Sequence, residues 1–526
     1  MWALLAGAYT LAVLRWWFVC DDAYIAFRYG QNLAEGAGLR FNPSEPIPVE
    51  GYTQFAWVLH LGLLERLGLD PTLFAPLTTA LAGALLLWLV GRFATRSLGL
   101  SPTSVGLGLA FLIGLPIFGV WASGGLETMV FALLAFAVYQ ALFADLDRPS
   151  GWWAGAFAAA LCLTRADGPW WVAATVVPAF VTGWLTGRPA LRRGAVLCAA
   201  LGMLAVAGHT AFRLGYHQDF LPNTVRAKVG ISAFSLERGA RYLTVLLLTL
   251  PALPLLTLLG TGRAWITRDP RLIASSILIF ATYLYMILVG GDFMAYGRFC
   301  LPALPHLALL LAAILQPSRK SGPNAFGAAL FAACLISSLL PWVDRHVVPN
   351  AQRARFHFRY NSDEFASETS QWRGMSTRAA SWALLGKALA LYTQPTDSLV
   401  RGSVGAVGYY SRRTIYDRFA LTDRDAVRVE PEPGARRSPG HDRMVPHGWF
   451  RRYEPTYSRA LLRPRNPSDP LTHTRTQTLV FVPTRPSDGF PPGHMLVLTI
   501  FPKRPAPSGD AHPANVSGDP KDPAGS

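Results

Sequence analysis

Charged residues are scarce in this sequence. Only 15% of the 526 residues are Asp, Glu, Lys or Arg, against about 25% in soluble proteins, and 51% are hydrophobic. The mean hydropathy is +0.27. This composition excludes an ordinary soluble domain and predicts a polytopic α-helical membrane protein.

Cysteine is also rare, and the five cysteines show no metal-binding spacing. Cys162, Cys198 and Cys334 lie inside apolar runs, where cysteine packs as a small apolar residue. Cys20 and Cys300 fall near the outer ends of predicted spans. A disulfide between them stays open, although cysteines in such positions are more often unpaired.

Acidic residues are outnumbered by basic ones, 32 to 48, and the formal net charge is +16. The basic residues are spread between apolar runs and along the C-terminal part, rather than gathered in one patch typical of nucleic-acid binding. Attraction to anionic headgroups or to a phosphorylated lipid is the better use of this charge. We therefore expect a lipid bilayer as a partner and no nucleic acid.

Eleven apolar runs are candidates for membrane spans, which need about 17–25 residues, or fewer where the bilayer thins. They cover residues 1–19, 71–90, 104–121, 127–143, 151–163, 170–185, 191–212, 242–260, 272–289, 301–315 and 325–342. The short loops after alternate runs are mostly basic, which predicts that these loops are cytoplasmic. The N-terminus is then inside, and the C-terminal segment outside, a bacterial cytoplasmic membrane.

The segment 52–69 is apolar, but as a span it would invert every later loop. We interpret it as a helix in the outer interface, with Tyr52 and Trp57 at the level of the lipid headgroups. Residues 20–70 then form one external loop with two interfacial helices, inside a membrane domain of residues 1–342. Long structured loops on one side of a membrane domain often carry function.

The composition changes after residue 342. Residues 343–502 are rich in Arg, Pro, Asp and Ser and contain short apolar runs, which predicts an extracytoplasmic domain of mixed α/β structure. Within it, the stretch 405–416 is typical of a turn between short strands. Residues 503–526 have the composition of a disordered tail.

Two adjacent acids, Asp21 and Asp22, follow the first apolar run. An ionisable pair at a membrane boundary is a functional candidate, because burial can raise the pKa of a carboxylate until it serves as a general base. The alternative is an ordinary helix N-cap. If residues 21–36 are helical, Asp21 and Arg28 lie on one face, about 10 Å apart along the axis.

The stretches DDAYIAFRYGQNLAEGAGLRFNP (21–43) and VEGYTQFAW (49–57) resemble the first external loop of multi-pass glycosyltransferases with the GT-C architecture. The nearest resemblance is to mycobacterial-type terminal β-(1→2)-arabinofuranosyltransferases, and a more distant one is to the lipid A aminoarabinose transferase and protein O-mannosyltransferase group. Further family-like stretches are GGLET (124–128), LTRADG (163–168), FRLGYHQDFLPNTVRAK (212–228), GGDFMAYGRF (290–299) and GAVGYYSRRTIYDRFALTD (405–423). The topology inferred from Arg and Lys places all of them on the outer side.

The resemblance implies transfer of arabinofuranose, or another pentose or hexose, from a polyprenyl-phosphate donor to a hydroxyl of an envelope glycan, lipid or protein, with inversion. It implies that Asp21 is the catalytic base and that Asp22 supports it or is itself the base. Glu127 takes the place of a second acid that orients the acceptor, unless it only caps a helix. Residues implied in binding donor phosphate or substrate are Arg28, Glu50, Tyr52, Arg165, Asp167, Arg213, His217, Asn223, Lys228, Asp292 and Arg298.

No spacing demands a cofactor. The carboxylates of Asp21, Asp22, Glu127 and Asp292 leave a site for a divalent cation open, with Mg²⁺, Ca²⁺ and Mn²⁺ as the candidates for such oxygen ligands. A monophosphate donor needs a metal less than a diphosphate donor does. The expectation is therefore an enzyme without a required metal.

Two other functions stay open. A transporter or flippase of a lipid-linked sugar would carry acids or broken helices at mid-span, often in two related halves, whereas these acids lie at span ends and no repeat is evident. A non-catalytic protein of envelope-polysaccharide assembly would not require Asp21. Structural ion pairs within Arg165–Asp167 and within Asp292–Arg298 are alternatives to substrate contacts.

Overall fold

The computed structural model describes residues 1–228, 230, 232–317, 325–360, 364–431 and 438–502. Within them the chain is mostly helical, with one β-sheet near the C-terminus. The predicted tail 503–526, and Arg319 and Lys320 of the last predicted basic loop, lie outside the described residues.

Sixteen α-helices form the membrane domain and the first loop in the described part of the chain. They are α1 (Trp2–Arg15), α2 (Asp21–Ala34), α3 (Phe55–Arg66), α4 (Pro71–Arg96), α5 (Pro102–Gly114), α6 (Pro116–Trp121), α7 (Thr128–Phe143), α8 (Gly151–Thr164), α9 (Gly168–Leu185), α10 (Pro189–Tyr216), α11 (Asn223–Lys228), α12 (Ala233–Thr249), α13 (Ala252–Thr267), α14 (Pro270–Leu288), α15 (Leu304–Leu315) and α16 (Ala325–Leu339). A 3₁₀ helix, Arg298–Ala303, leads directly into α15.

Each of the eleven predicted apolar runs falls on one or two of these helices. Among the described residues, five helical segments are long and apolar enough to cross a membrane, and a sixth is added if α12 and α13 count as one bent span. Helices α1, α5, α7 and α8 are apolar but shorter. The multi-pass helical architecture is confirmed, and the number of eleven spans stays a prediction.

Two predicted runs are broken rather than continuous. The run 104–121 divides into α5 and α6 at Leu115, and the run 242–260 divides into α12 and α13, whose axes differ by 90°. Each break lies directly before a proline, which disfavours helical backbone in the residue that precedes it. The run 242–260 is therefore bent, and its crossing of the membrane as one span stays a prediction.

The first loop carries two helices, α2 and α3, that pack on each other. Two acids lie in the first turn of α2, where they complement the positive end of the helix dipole. The helices approach most closely at Gly30, where an added Cβ would lie 2.9 Å from the backbone nitrogen of Gly62. A side chain at this position would separate the two helices.

Tyr52 and Trp57 are buried inside the protein. They are only 2% and 3% exposed, and the indole nitrogen of Trp57 donates to the carbonyl oxygen of Gly125 at 3.3 Å. Both rings therefore contact protein rather than lipid headgroups, and the interfacial position of the segment 52–69 stays a prediction. Cys20 and Cys300 are separate buried thiols, so the disulfide that was left open does not form.

The C-terminal domain is built around one mixed sheet. Its elements are α17 (Asn350–Arg353), α18 (Glu368–Tyr392), β1 (Ser398–Arg401), α19 (Gly405–Ser411), β2 (Thr414–Asp417), β3 (Tyr457–Pro464), β4 (Thr474–Arg475), β5 (Leu479–Pro483) and β6 (His494–Ile500). The strand order is β2-β1-β3-β6-β5-β4, with β1 parallel to β2 and β3 and the other neighbours antiparallel. The predicted C-terminal sheet domain is confirmed. The turn between strands predicted for 405–416 is wrong in its first half, which is α19.

Helix α2 connects the membrane domain to the C-terminal domain through α19. The Asp21 carboxylate accepts a hydrogen bond from the backbone nitrogen of Ala406 at 2.8 Å. The Arg28 guanidinium donates to the carbonyl oxygen of Gly408 and, at 2.8 Å, to that of Arg413. The face of α2 that carries Asp21 and Arg28 is therefore a packing interface, and this docking explains why α19 is helical despite its two glycines.

Gly405→Ala tests this docking. The added Cβ would lie 1.9 Å from the carbonyl oxygen of Asp21, a backbone atom that no side-chain rotation can move. We expect the free energy of unfolding to fall by about 1–3 kcal/mol, as in other overpacked sites, seen as a lower thermal midpoint of the purified protein. Gly448→Ala is the matched control, because nothing lies within 4 Å of a Cβ there. Equal midpoints would contradict the contact.

Candidate active site

A cavity of about 180 Å³ lies where the first loop, the membrane domain and the C-terminal domain meet. We call it the central cavity. Its charged lining residues are Asp22, Glu127, Arg165, Lys228, Asp292 and Arg298. Together with Tyr52, which also lines it, they make up seven of the fourteen predicted site residues.

Helix ends and loops supply these charged side chains. Asp22 lies in the first turn of α2, Glu127 directly precedes α7, and Arg165 directly follows α8. Lys228 is the last residue of α11, and the remaining two lie between α14 and α15. Groups at the ends of apolar helices can be charged because they leave the hydrocarbon region, so five distant segments place charge around one space.

Arg165 joins two carboxylates at one side of the central cavity. Its Nε and Nη2 donate to the two carboxylate oxygens of Asp167 at 2.8 and 3.1 Å, and its Nη1 donates to Glu127 at 3.0 Å. Burial raises the pKa of Asp167, but the Arg165 guanidinium outweighs burial and holds that pKa below its ordinary value. Arg165 thereby fixes the orientation of Glu127 at the cavity wall.

Arg298 lies at another side of the cavity. Its Nε donates to Asp292 at 2.5 Å. Both cations lie near the ring of Phe299, whose centroid is 5.2 Å from the guanidinium carbon of Arg165 and 5.0 Å from that of Arg298. Cation–π contacts hold guanidinium groups without using their N–H donors. Donors of Arg298 are therefore available to an anionic ligand.

Lys228 is held less tightly than the two arginines. Its Nζ lies 3.8 Å from Oδ2 of Asp22, beyond hydrogen-bond distance, and the two side chains are 27% and 21% exposed. Among the described residues, no group donates a hydrogen bond to the Asp22 carboxylate. Asp22 therefore presents a free carboxylate to the cavity, with one cation close by.

Asp21 turns away from the central cavity. Adjacent residues of a helix differ by about 100° in direction, and of these two acids only Asp22 lines the central cavity. Burial raises the pKa of Asp21 to about 6, although its hydrogen bond from Ala406 opposes the rise. Asp21 lines a smaller cavity of about 70 Å³, which Asp22 lines as well. Of the two acids, only Asp22 lines both cavities.

Several predicted site residues do not line the central cavity but contact the segments that do. Glu50 forms a buried ion pair with Arg213. His217 lies 3.0 Å from the carbonyl oxygen of Pro48 and 3.5 Å from the hydroxyl of Tyr52. These contacts fix the end of the first loop, so that Tyr52 faces the central cavity.

Asn223 and Arg28 have the same kind of role. The Asn223 amide donates to the carbonyl oxygens of Ala420 and Leu421 at 2.7 and 3.0 Å, which docks α11 on the C-terminal domain. Arg28 docks α2 on it, as described above. Neither side chain lines the central cavity, and Asp167 contacts its lining residue Arg165 without lining the cavity itself.

Sequence motifs missed some lining residues. Phe299 and Leu421 stand inside recognised stretches, but their types carry no chemical signal. Gly440 comes from the region beyond the last family-like stretch, and a Cβ on it would lie 3.7 Å from Cδ of Lys228. The Pro-Gly pair at 439–440 marks a turn in the sequence. Where that turn docks is visible only in the fold.

The predicted carboxylates do not fit a resident divalent cation. In the part of the chain that the structure describes, no three His, Cys, Asp or Glu side chains come together as ligands for a metal ion. Asp292 is paired with Arg298, and Asp22 lies next to Lys228. Of the other carboxylates proposed as metal ligands, Glu127 is paired with Arg165, and Asp21 accepts from the backbone nitrogen of Ala406.

ArnT and an archaeal oligosaccharyltransferase share the fold of this chain. The crystal structure of ArnT from Cupriavidus metallidurans bound to undecaprenyl phosphate matches with a TM-score of 0.54 and 14% identity, over 94% of this chain and 96% of ArnT. The Archaeoglobus fulgidus oligosaccharyltransferase, in its apo form and, as AglB, in complex with an inhibitory peptide and a dolichol-phosphate, matches with a TM-score of 0.51 and 11% identity. That match covers 88% of this chain and 69% of the other.

By sequence, no protein-family model and no curated protein matches the chain. At these low identities the structural likeness shows a shared fold. The expected multi-pass fold agrees with this likeness, and the particular resemblance to arabinofuranosyltransferases is not confirmed.

Proposed function

We propose that this protein is a membrane glycosyltransferase that takes its sugar from a lipid phosphate. The observation that carries the proposal is the central cavity, where three cations and three carboxylates meet. Cations suit the phosphate of a lipid-linked donor, and carboxylates suit the acceptor proton and the positive charge that develops at the anomeric carbon. The fold shared with ArnT bound to undecaprenyl phosphate, and with AglB in complex with dolichol-phosphate, supports it.

The kind of donor, the transferred sugar, the acceptor and the orientation in the membrane are inferred from the sequence. The donor in this proposal is a polyprenyl-phosphate sugar, with arabinofuranose or another pentose or hexose as the transferred group. The acceptor is a hydroxyl of an envelope glycan, lipid or protein. The basic loops support a site at the outer face of a bacterial cytoplasmic membrane, with the N-terminus inside and the C-terminal domain outside.

Asp22 is the general base in this reaction. The acceptor hydroxyl gives its proton to the Asp22 carboxylate while its oxygen attacks the anomeric carbon. The bond from that carbon to the phosphate oxygen breaks, its electron pair leaves with the polyprenyl phosphate, and the configuration inverts. Arg298 and Lys228 bind the phosphate, and Glu127, oriented by Arg165, faces the positive charge of the transition state.

Asp22→Asn and Asp21→Asn separate the two adjacent acids. Asp22→Asn removes the base, so we expect sugar transfer in membranes to fall by about 10²–10⁴-fold. Asp21→Asn still accepts the hydrogen bond from Ala406, so we expect transfer close to that of the wild type. Loss of transfer in Asp21→Asn with transfer retained in Asp22→Asn would reverse the assignment. Sugar transfer at the wild-type level in both variants would contradict the proposed mechanism.

The pH dependence of stability tests the burial of Asp21. Burial raises its folded pKa from 3.8 to about 6, so between these values the folded protein holds a proton that the unfolded chain has lost. The contribution of this group to stability is therefore present below about pH 4 and is lost as the pH rises to about 6. We expect Asp21→Asn to remove this loss, seen in thermal midpoints measured from pH 4 to 7. An unchanged pH profile would contradict the placement.

Lys228→Ala tests the binding of the donor phosphate. A hydrogen bond to a charged group contributes about 1.5–3 kcal/mol, so we expect the Kd for undecaprenyl phosphate to rise about tenfold or more. Lys387→Ala is the control, because that amine lies over the ring of Tyr410, away from the cavity. Binding to protein in lipid nanodiscs is the measurement. Equal Kd values for both variants would rule Lys228 out as a phosphate ligand.

A further inference from the structure

A second cavity adjoins the central cavity on the side of the C-terminal domain. Its volume is about 70 Å³, and the two cavities share the lining residues Asp22, Ile25, Phe293 and Leu421. The carboxylate proposed as the base thus borders two spaces. The proposed reaction needs such an arrangement, because the base must reach a hydroxyl that does not belong to the donor.

Aromatic rings form much of the wall of the second cavity. Trp382 projects from α18, and the guanidinium of Arg401 lies over its ring at 5.6 Å. His441 makes edge-on contacts with Phe419 and Phe293, with centroids 4.7 and 4.4 Å apart. Rings held in this way offer flat apolar faces and polar edges, and both features suit the C–H faces of a sugar ring.

Polar groups complete this wall. Arg378 lies one helical turn before Trp382 on α18, so both side chains reach the same side of the helix. Its side chain is exposed, and among the described residues its guanidinium has no hydrogen-bond or ion-pair partner. Asp21 and Asp22 line the same cavity. The cavity therefore offers both donors and acceptors to hydroxyl groups.

We propose that the second cavity binds the acceptor, and that the acceptor is a saccharide, with one sugar ring against Trp382 and its hydroxyls bonded by Arg378. The inference rests on the proposed function. The space holds about five water-sized groups, which admits the edge of one sugar ring. Among the described lining residues, this cavity has one cation, Arg378, whereas the central cavity has three, so the central cavity suits the donor phosphate better.

The order of events follows from the shared wall. A saccharide hydroxyl that enters from the second cavity meets Asp22, passes its proton to the carboxylate, and attacks the anomeric carbon of the donor in the central cavity. Trp382 and Arg378 set which acceptor ring is presented, and they take no proton. They are positioning residues, so their effect falls on acceptor binding and not on donor binding.

The test measures saccharide binding to the full-length protein in lipid nanodiscs. The probes are short arabinan, mannan and galactan oligosaccharides, titrated in saturation-transfer NMR experiments. We expect at least one class to bind, Trp382→Ala to weaken it about tenfold, and Trp382→Phe to restore most of it. We expect Arg378→Ala to weaken binding several-fold. Arg373→Ala is the matched control, because that exposed arginine of α18 contacts Asp344 outside the cavity.

The Kd for undecaprenyl phosphate, measured on the same samples, shows that each variant is folded, and we expect it to stay unchanged. The inference is overturned if no oligosaccharide binds while undecaprenyl phosphate does, or if Trp382→Ala binds oligosaccharide as the wild type does. Failure of the proposed function looks different. It appears as sugar transfer that survives Asp22→Asn, whatever Trp382→Ala does to oligosaccharide binding.

Discussion

One buried guanidinium determines how the parts of this molecule meet. Arg28 is 2% exposed, and burial lowers its pKa to about 10, so it stays charged at neutral pH. A buried charge is costly unless its donors are satisfied, and here backbone carbonyls satisfy them. Phe41 of the first loop supplies one oxygen, and Gly408 and Arg413 of the C-terminal domain supply others. Separation of α2 from the C-terminal domain would leave this cation buried without its partners.

The docking of α2 sets the rotation of that helix, and the rotation sets what faces the cavities. Because Asp21 and Arg28 contact α19, the side chain of Asp22 points toward Lys228 and the wall that the two cavities share. The buried pair of Glu50 and Arg213 fixes the end of the same loop. Such ion pairs are weak evidence of stability, because desolvation offsets their attraction. Their contribution here is orientation, which a preorganised polar site requires.

Much of this arrangement could be predicted from the sequence, and the remainder depends on contacts between distant segments. Apolar runs locate the helices. Two of these runs contain a proline at which the helix breaks, and hydrophobic composition alone does not predict such breaks. The recognised stretches do surround the site. A residue inside such a stretch can nevertheless support the structure rather than contact a ligand, as Asn223 and Arg28 do by donating hydrogen bonds to backbone carbonyls. Asp21 and Asp22 differ by one helical step. Their roles depend on contact with α19, which lies almost 400 residues later in the chain. No local sequence pattern predicts that contact.

The loose contact between Lys228 and Asp22 gains meaning when charge is followed through the proposed reaction. The donor phosphodiester carries one negative charge, the released phosphate monoester carries up to two, and Asp22 becomes neutral as it takes the proton. The total charge in the cavity is unchanged, but one negative charge moves from the protein to the lipid. Lys228 loses its charged carboxylate neighbour in the step that adds negative charge to the phosphate it binds, and its 3.8 Å separation from Asp22 leaves its flexible stem free to move toward that phosphate. The cation held least firmly is the one whose partner changes during turnover.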